Sequence, residues 1–186
     1  MPEGVVRLNR CPMQVPLVMT VIGRDRPGLV DLVAGLVAGH GGNWLESRMS
    51  RLGGHFAGIL RIEVPAAQQA SLTEALGALT AQGLSVVCHA DAPEAAAGQP
   101  ASARLELVGQ DRPGIVSQIS HALARHGVNV EELITECSSA PMSGETLFKA
   151  RAQLCIPATC PLAELRGELE RIAADLVVDV SLQPIS

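Results

Sequence analysis

Hydrophobic and polar positions follow two rhythms along this chain. Leu17 to Ile22 is an apolar run of strand length that stops at Gly23. Behind it, Leu29, Leu32, Val33, Leu36 and Val37 recur at helical spacing and form one core-facing stripe. Gly39, Gly41 and Gly42 end that helix. Phe56, Gly58, Leu60, Ile62 and Val64 then alternate with more polar residues, the period of two that marks a half-buried strand. Gly53-Gly54 in front of them predicts a hairpin turn from a strand over 43–52. Leu72, Leu76 and Leu79 predict a second helix, and 84–88 a closing strand. The order is strand, helix, strand, strand, helix, strand.

The same order then recurs. Gly23-Arg24-Asp25-Arg26-Pro27-Gly28-Leu29-Val30 returns 86 residues later as Gly109-Gln110-Asp111-Arg112-Pro113-Gly114-Ile115-Val116. The same offset carries His40-Gly41-Gly42-Asn43 onto His126-Gly127-Val128-Asn129. Ile115, Val116, Ile119, Ala122 and Leu123 give the helical stripe, and Phe148, Ala150, Ala152, Leu154 and Ile156 the alternating strand. By Pro157, the match of Pro65, the offset is 92, so the second hairpin carries about six extra residues around 138–144. The last helix and strand follow at Leu165, Leu169, Ile172 and 176–182. These landmarks divide the chain into an extension (1–14), a first domain (15–90), an Ala/Pro/Gly linker (91–101) and a second domain (102–186). Domains this small bury only about 60–65% of their unfolded surface, so each is expected to lean on its twin or on another chain.

Composition narrows the function. A formal net charge of −5 and 2% aromatic residues leave neither the basic patch nor the stacking platforms of a nucleic-acid surface. No basic-then-apolar leader and no membrane-length apolar run is present, so the reading is a cytoplasmic protein with no membrane partner. The five cysteines have no Cys-x-x-Cys spacing and read as reduced thiols.

The repeated motif has a chemistry of its own. Proline suits the first turn of a helix, so the helix is expected to start at Pro27. Gly28 leaves the unpaired N–H groups of that turn open to a close neighbour. Such a terminus accepts a carboxylate, and Asp25 beside it can hold an ammonium group or simply cap the helix, a role that contributes about 1 kcal/mol. Both readings of Asp25 stay open on spacing alone. An ammonium acceptor beside a carboxylate site is what a free α-amino acid requires, and Asn43 could close the site with its amide.

Taken together, the Gly-x-Asp-Arg-Pro-Gly-[Leu/Ile]-Val motif and the His-Gly-[Gly/Val]-Asn helix end resemble the ACT domain over 15–90 and 102–183. The resemblance implies an α+β fold, two ferredoxin-like βαββαβ modules with antiparallel sheets and helices on one face. As a tandem pair the chain is similar to the glycine cleavage system transcriptional repressor family. That likeness implies a regulator that binds a small amino acid such as glycine or serine, and works through a protein partner, possibly a transcriptional activator, without touching DNA. The ligand region it implies is Gly23, Asp25, Arg26, Pro27, Gly28 and Asn43, with Gly109, Asp111, Arg112, Pro113, Gly114 and Asn129 in the second copy. Position 24 is Arg where 110 is Gln, Gly42 faces Val128 and Trp44 faces Val130, so the two sites need not bind equally.

Other constellations are weaker. His40 and His126 sit at helix ends, where a His complements the negative end of the dipole. Neither His nor Cys spacing supports a metal site, and no nucleophile elbow, Walker loop or dinucleotide fingerprint appears. No metal, cofactor or catalytic residue is expected. A ligand-free interaction adaptor is the alternative function, and a homo-oligomer is possible. A similar N-terminal module occurs in formyltetrahydrofolate hydrolases, but the chain reaches Ser186 with no catalytic domain.

Overall fold

A computed structural model describes residues 13–91, 101–139 and 145–185, and it divides the chain between Glu94 and Ala95 into two units. In the first unit β1 (Gln14–Arg24), α1 (Leu29–Gly39), β2 (Asn43–Leu52), β3 (His55–Pro65), α2 (Gln69–Gly77) and β4 (Leu84–Ala90) follow one another. A 3₁₀ segment, Ala78–Gln82, extends α2 toward β4. The strands form one antiparallel sheet in the order β2-β3-β1-β4.

The alternation explains the layers. Leu17, Met19 and Val21 of β1 and Leu60, Ile62 and Val64 of β3 are buried, and with Leu29, Val33, Val37, Leu72 and Leu76 of the helices they make one core. Between them, Thr20, Ile22, Ile59 and Arg61 stay exposed, so the helices cover one sheet face only. Gly53 and Gly54 both have positive φ, the backbone of a two-residue hairpin matched to strand twist.

The second unit repeats this with β5 (Ala101–Gln110), α3 (Ile115–Arg125), β6 (Asn129–Ser139), β7 (Thr146–Ile156), α4 (Leu162–Leu176) and β8 (Val178–Pro184). The sheet order is β6-β7-β5-β8. Its core, Leu105, Leu107, Ile119, Leu123, Leu154, Leu165 and Leu169 among others, is separate from the first. The extra hairpin residues at 140–144, the linker at 92–100 and the extension at 1–12 lie outside the described residues.

Both edge strands carry a bulge at the same place. The pairing of β2 with β3 shifts between Trp44 and Glu46, and that of β6 with β7 between Val130 and Glu132. Beyond the bulge the side-chain parity is inverted, so Trp44, Ser47, Met49 and Arg51 oppose the core-facing residues Ile62, Leu60, Gly58 and Phe56. The second unit places Val130, Leu133, Thr135 and Cys137 in those positions.

Candidate functional site

The loop between the first strand and first helix is built alike in both units. β1 continues to Arg24, and the amide of Asp25 donates to the Gly54 carbonyl at 3.0 Å, tying the loop to the hairpin. Asp111 donates in the same way to Thr146 at 2.9 Å. The helices start later than the sequence suggests. Pro27 lies in a turn, and the residue that opens α1 is Gly28, at φ 90°. Gly114 opens α3 at φ 97°. A left-handed φ cannot continue a helix, so Pro27 and Pro113 fall outside it rather than at its first position.

Gly28 and Gly114 have no side chain, and no other side chain caps either helix. Asp25 and Asp111 are therefore not helix caps. The first intrahelical bonds run from Leu32 to Gly28 and from Gln118 to Gly114, both 2.9 Å. The N–H groups at 29–31 and 115–117 precede them and have no intrahelical acceptor. Each loop thus offers outward N–H donors beside one aspartate.

The remaining expected residues are placed unevenly. Arg26 and Arg112 are exposed on the loop, and Arg112 donates to Gln110 at 3.1 Å. Gly23 and Gly109 belong to the sheet. A Cβ on Gly23 would lie 2.6 Å from the Gly83 carbonyl, and one on Gly109 2.6 Å from Val178 Cα. Their role is close strand approach. Asn43 pairs with Glu63, at the other end of β3 from the Gly54 carbonyl that holds Asp25. Nine residues of strand separate those levels, roughly 30 Å. The structure therefore does not bring Asn43 to the loop of its own domain, and Asn129, opposite Cys155, is equally remote from Asp111.

Two residues that sequence reasoning missed stand at the first loop. Arg51, on the core-side parity of β2, places Nε 2.6 Å from Asp25 Oδ2. Asp31 adds a carboxylate to the first turn of α1. Comparing the repeats at the 86-residue offset would have flagged both, because Cys137 and Ser117 hold their places in the second copy. Among the described residues no ion pair engages Asp111, and the first turn of α3 has no acidic residue.

The helix-end histidines fasten the two helices of each unit. His40 Nδ1 donates to the Leu36 carbonyl at 2.8 Å, in the last turn of α1, and Nε2 accepts from Ser71 at 3.2 Å. His126 Nε2 instead donates to Glu168 of α4 at 2.9 Å, and Arg125 reaches the same carboxylate at 3.1 Å. The His126 hydrogen bond, helped by the nearby arginines, holds the Glu168 carboxyl below the usual carboxylate range. Burial pushes the Cys88 thiol up, as it does Cys160. Among the described residues no cluster of His, Cys, Asp or Glu could hold a metal, and no helix is long and apolar enough to cross a membrane.

Known proteins agree with this architecture. The ACT domain signature matches residues 15–89 and again 103–148. The glycine cleavage system transcriptional repressor of Escherichia coli is 23% identical over 176 residues, 91% of this chain and 90% of that protein. The crystal structure of a protein from Galdieria sulphuraria superposes with a TM-score of 0.84 at 28% identity, covering 94% of this chain and all (100%) of its own. A crystal structure described as a putative glycine cleavage system transcriptional repressor gives 0.67 at 21% identity, covering 94% of this chain and 99% of its own. With both signatures falling on complete βαββαβ units, the chain belongs to the ACT-domain family and carries two such domains in tandem.

Proposed function

We propose that the protein is a non-enzymatic regulator that senses a small free amino acid and passes its state to a protein partner. The observation that carries the reading is the twice-built loop, an aspartate beside uncapped helical N–H donors. An α-amino acid has the matching charges, with its carboxylate toward the helix start and its ammonium toward Asp25 or Asp111. The Escherichia coli relative, named for glycine cleavage, supports glycine and serine as first candidates and transcription as the process regulated. An acidic chain, net −5, suits action through a protein such as an activator rather than on DNA directly. Sensing requires differential affinity: a ligand shifts only an equilibrium whose two states bind it unequally.

Thermal unfolding against a panel of free amino acids tests this. A ligand at ten times its Kd stabilises by about 1.4 kcal/mol, roughly 3–6 °C for a chain of this size. A shift of that order, lost in the Asp25→Ala/Asp111→Ala double variant, supports the sensor. A panel flat to high millimolar overturns it and favours a ligand-free adaptor. For that second reading the edge strand β6 is the supporting feature, since it leaves Val130, Leu133 and Ile134 exposed.

A further inference from the structure

We infer that the two loops are unequal: the second, around Asp111, is the amino-acid site, and the first is held closed by the protein's own charges. The inference rests on the sensor reading above. It follows from asking, for each pole of a zwitterion, what already stands where that pole would bind.

In the first loop both poles are taken. The Asp25 carboxylate that would receive an ammonium is paired with the Arg51 guanidinium at 2.6 Å. The helix start that would receive a carboxylate has Asp31 in its first turn, an anion already complementing the dipole. Arg24 and Arg26 add positive charge on either side of Asp25, a further cost to an incoming ammonium.

In the second loop both poles are open. Cys137 opposes Phe148 in the same register in which Arg51 opposes Phe56, so the position that supplies the guanidinium in one unit supplies an exposed, uncharged thiol in the other. Ser117 replaces Asp31, and no acidic residue remains in the first turn of α3. Position 110 is Gln, and its amide oxygen engages Arg112 at 3.1 Å, drawing that cation away from the aspartate. The backbone is the same in both loops, left-handed glycine included, so the difference lies in four side chains: Arg51, Asp31, Cys137 and Ser117. They are specificity-determining residues, deciding which of two similar loops is available.

Equilibrium dialysis of the full chain with labelled glycine and L-serine tests the assignment. A lost charged hydrogen bond weakens binding about tenfold or more, so Asp111→Asn is expected to do so. Asp25→Asn, where an exposed pair already competes, is expected to change affinity less than about threefold. Transplanting the first loop's charges, Ser117→Asp with Cys137→Arg, is expected to close the second loop, again by about tenfold. The reverse pair, Asp31→Ser with Arg51→Cys, is expected to add a second binding equivalent per chain. Circular dichroism melts of these exposed-site variants keep loss of binding distinct from loss of fold. Binding that survives Asp111→Asn but not Asp25→Asn overturns the inference while leaving the sensor intact. Equal weakening by the two variants does the same, as does loss of binding in Arg51→Cys, which would make Arg51 a ligand contact. No binding of either amino acid by the wild-type chain overturns the choice of ligand and, with a flat panel, the sensor reading itself.

Discussion

In the first repeat Arg51 reaches from β2 to Asp25, and His40 meets the neutral Ser71; in the second, Cys137 leaves Asp111 unpaired, and His126 meets the charged Glu168. The backbone plan is common to both, down to the bulge in each edge strand and the left-handed glycine at each first helix. Duplication fixed the frame, and the side chains that face the same space have since diverged. The first unit has turned its polar groups on one another, while the second keeps its loop open and places its ion-pair network between α3 and α4. A fold of this kind is specified by glycines, parity and apolar alternation, which leaves its surface charges free to vary.

Variants that touch the shared frame should hurt both repeats alike and by the most. Gly23→Ala and Gly109→Ala each drive a Cβ against the neighbouring strand's backbone, and about 2–3 kcal/mol of destabilisation is expected for each. Urea unfolding followed by circular dichroism measures it. A loss below 0.5 kcal/mol, about the scatter of a neutral surface change, in either variant would mean that the strands are not held that close.

Next in size is the space beside the edge strand. Trp44 packs against the first core, whereas its counterpart Val130 leaves an apolar cavity of about 40 Å³ bordered by Leu105, Ile119, Leu123, Leu133 and Ala152. Trp44→Val is expected to cost about 2 kcal/mol, and Val130→Trp to stabilise by about 1 kcal/mol through filling the gap. The comparison breaks if both changes destabilise equally in the same urea titration.

A smaller contrast lies where the second helix returns to the sheet. Gly83 turns there at φ 80°, and Val177 does so at φ 57°, a left-handed conformation that a β-branched side chain resists. Val177→Gly should stabilise by about 1 kcal/mol and Gly83→Val should destabilise by 1–2 kcal/mol, the cost of a left-handed non-glycine residue. Melting temperatures in opposite directions would bear this out.

The smallest effect depends on pH. The folded-state pKa of Glu168 is depressed, so its contribution is full above the ordinary carboxylate range and fades as the pH falls through the lower folded value. Stability of Glu168→Gln should therefore differ from wild type near neutrality and converge with it in acid. The first repeat, with Ser71 in that role, should show no such term, and Ser71→Ala should shift stability by the same amount at every pH.

Much of this architecture was legible in the sequence. The 86-residue offset, the Gly-Gly hairpin and the strand alternation of 56–64 each follow from local chemistry, and the elements appear where that chemistry places them. What local chemistry could not supply was parity beyond an irregularity. Strict alternation from Trp44 would turn 46, 48, 50 and 52 toward the core; the bulge turns 47, 49 and 51 instead, leaving Leu52 83% exposed and bringing Arg51 to Asp25. Asn43 was misjudged for a related reason. It follows the helix closely in sequence, but α1 runs back along the sheet and delivers it to the far end. The start of the helix depended on a single dihedral, the left-handed φ of Gly28, which a Pro-Gly pair permits without requiring.

That dihedral has a kinetic consequence. Because Leu32 and Gln118 make the first bonds of their helices, the amides at 29–31 and 115–117 exchange with solvent deuterium without any opening of the helix, while those behind them wait for it. The six fast amides are the ones an incoming carboxylate would cover. Exchange followed by mass spectrometry therefore gives each loop its own built-in reporter, one that separates occupancy of the first from occupancy of the second on a single unlabelled, unmutated chain.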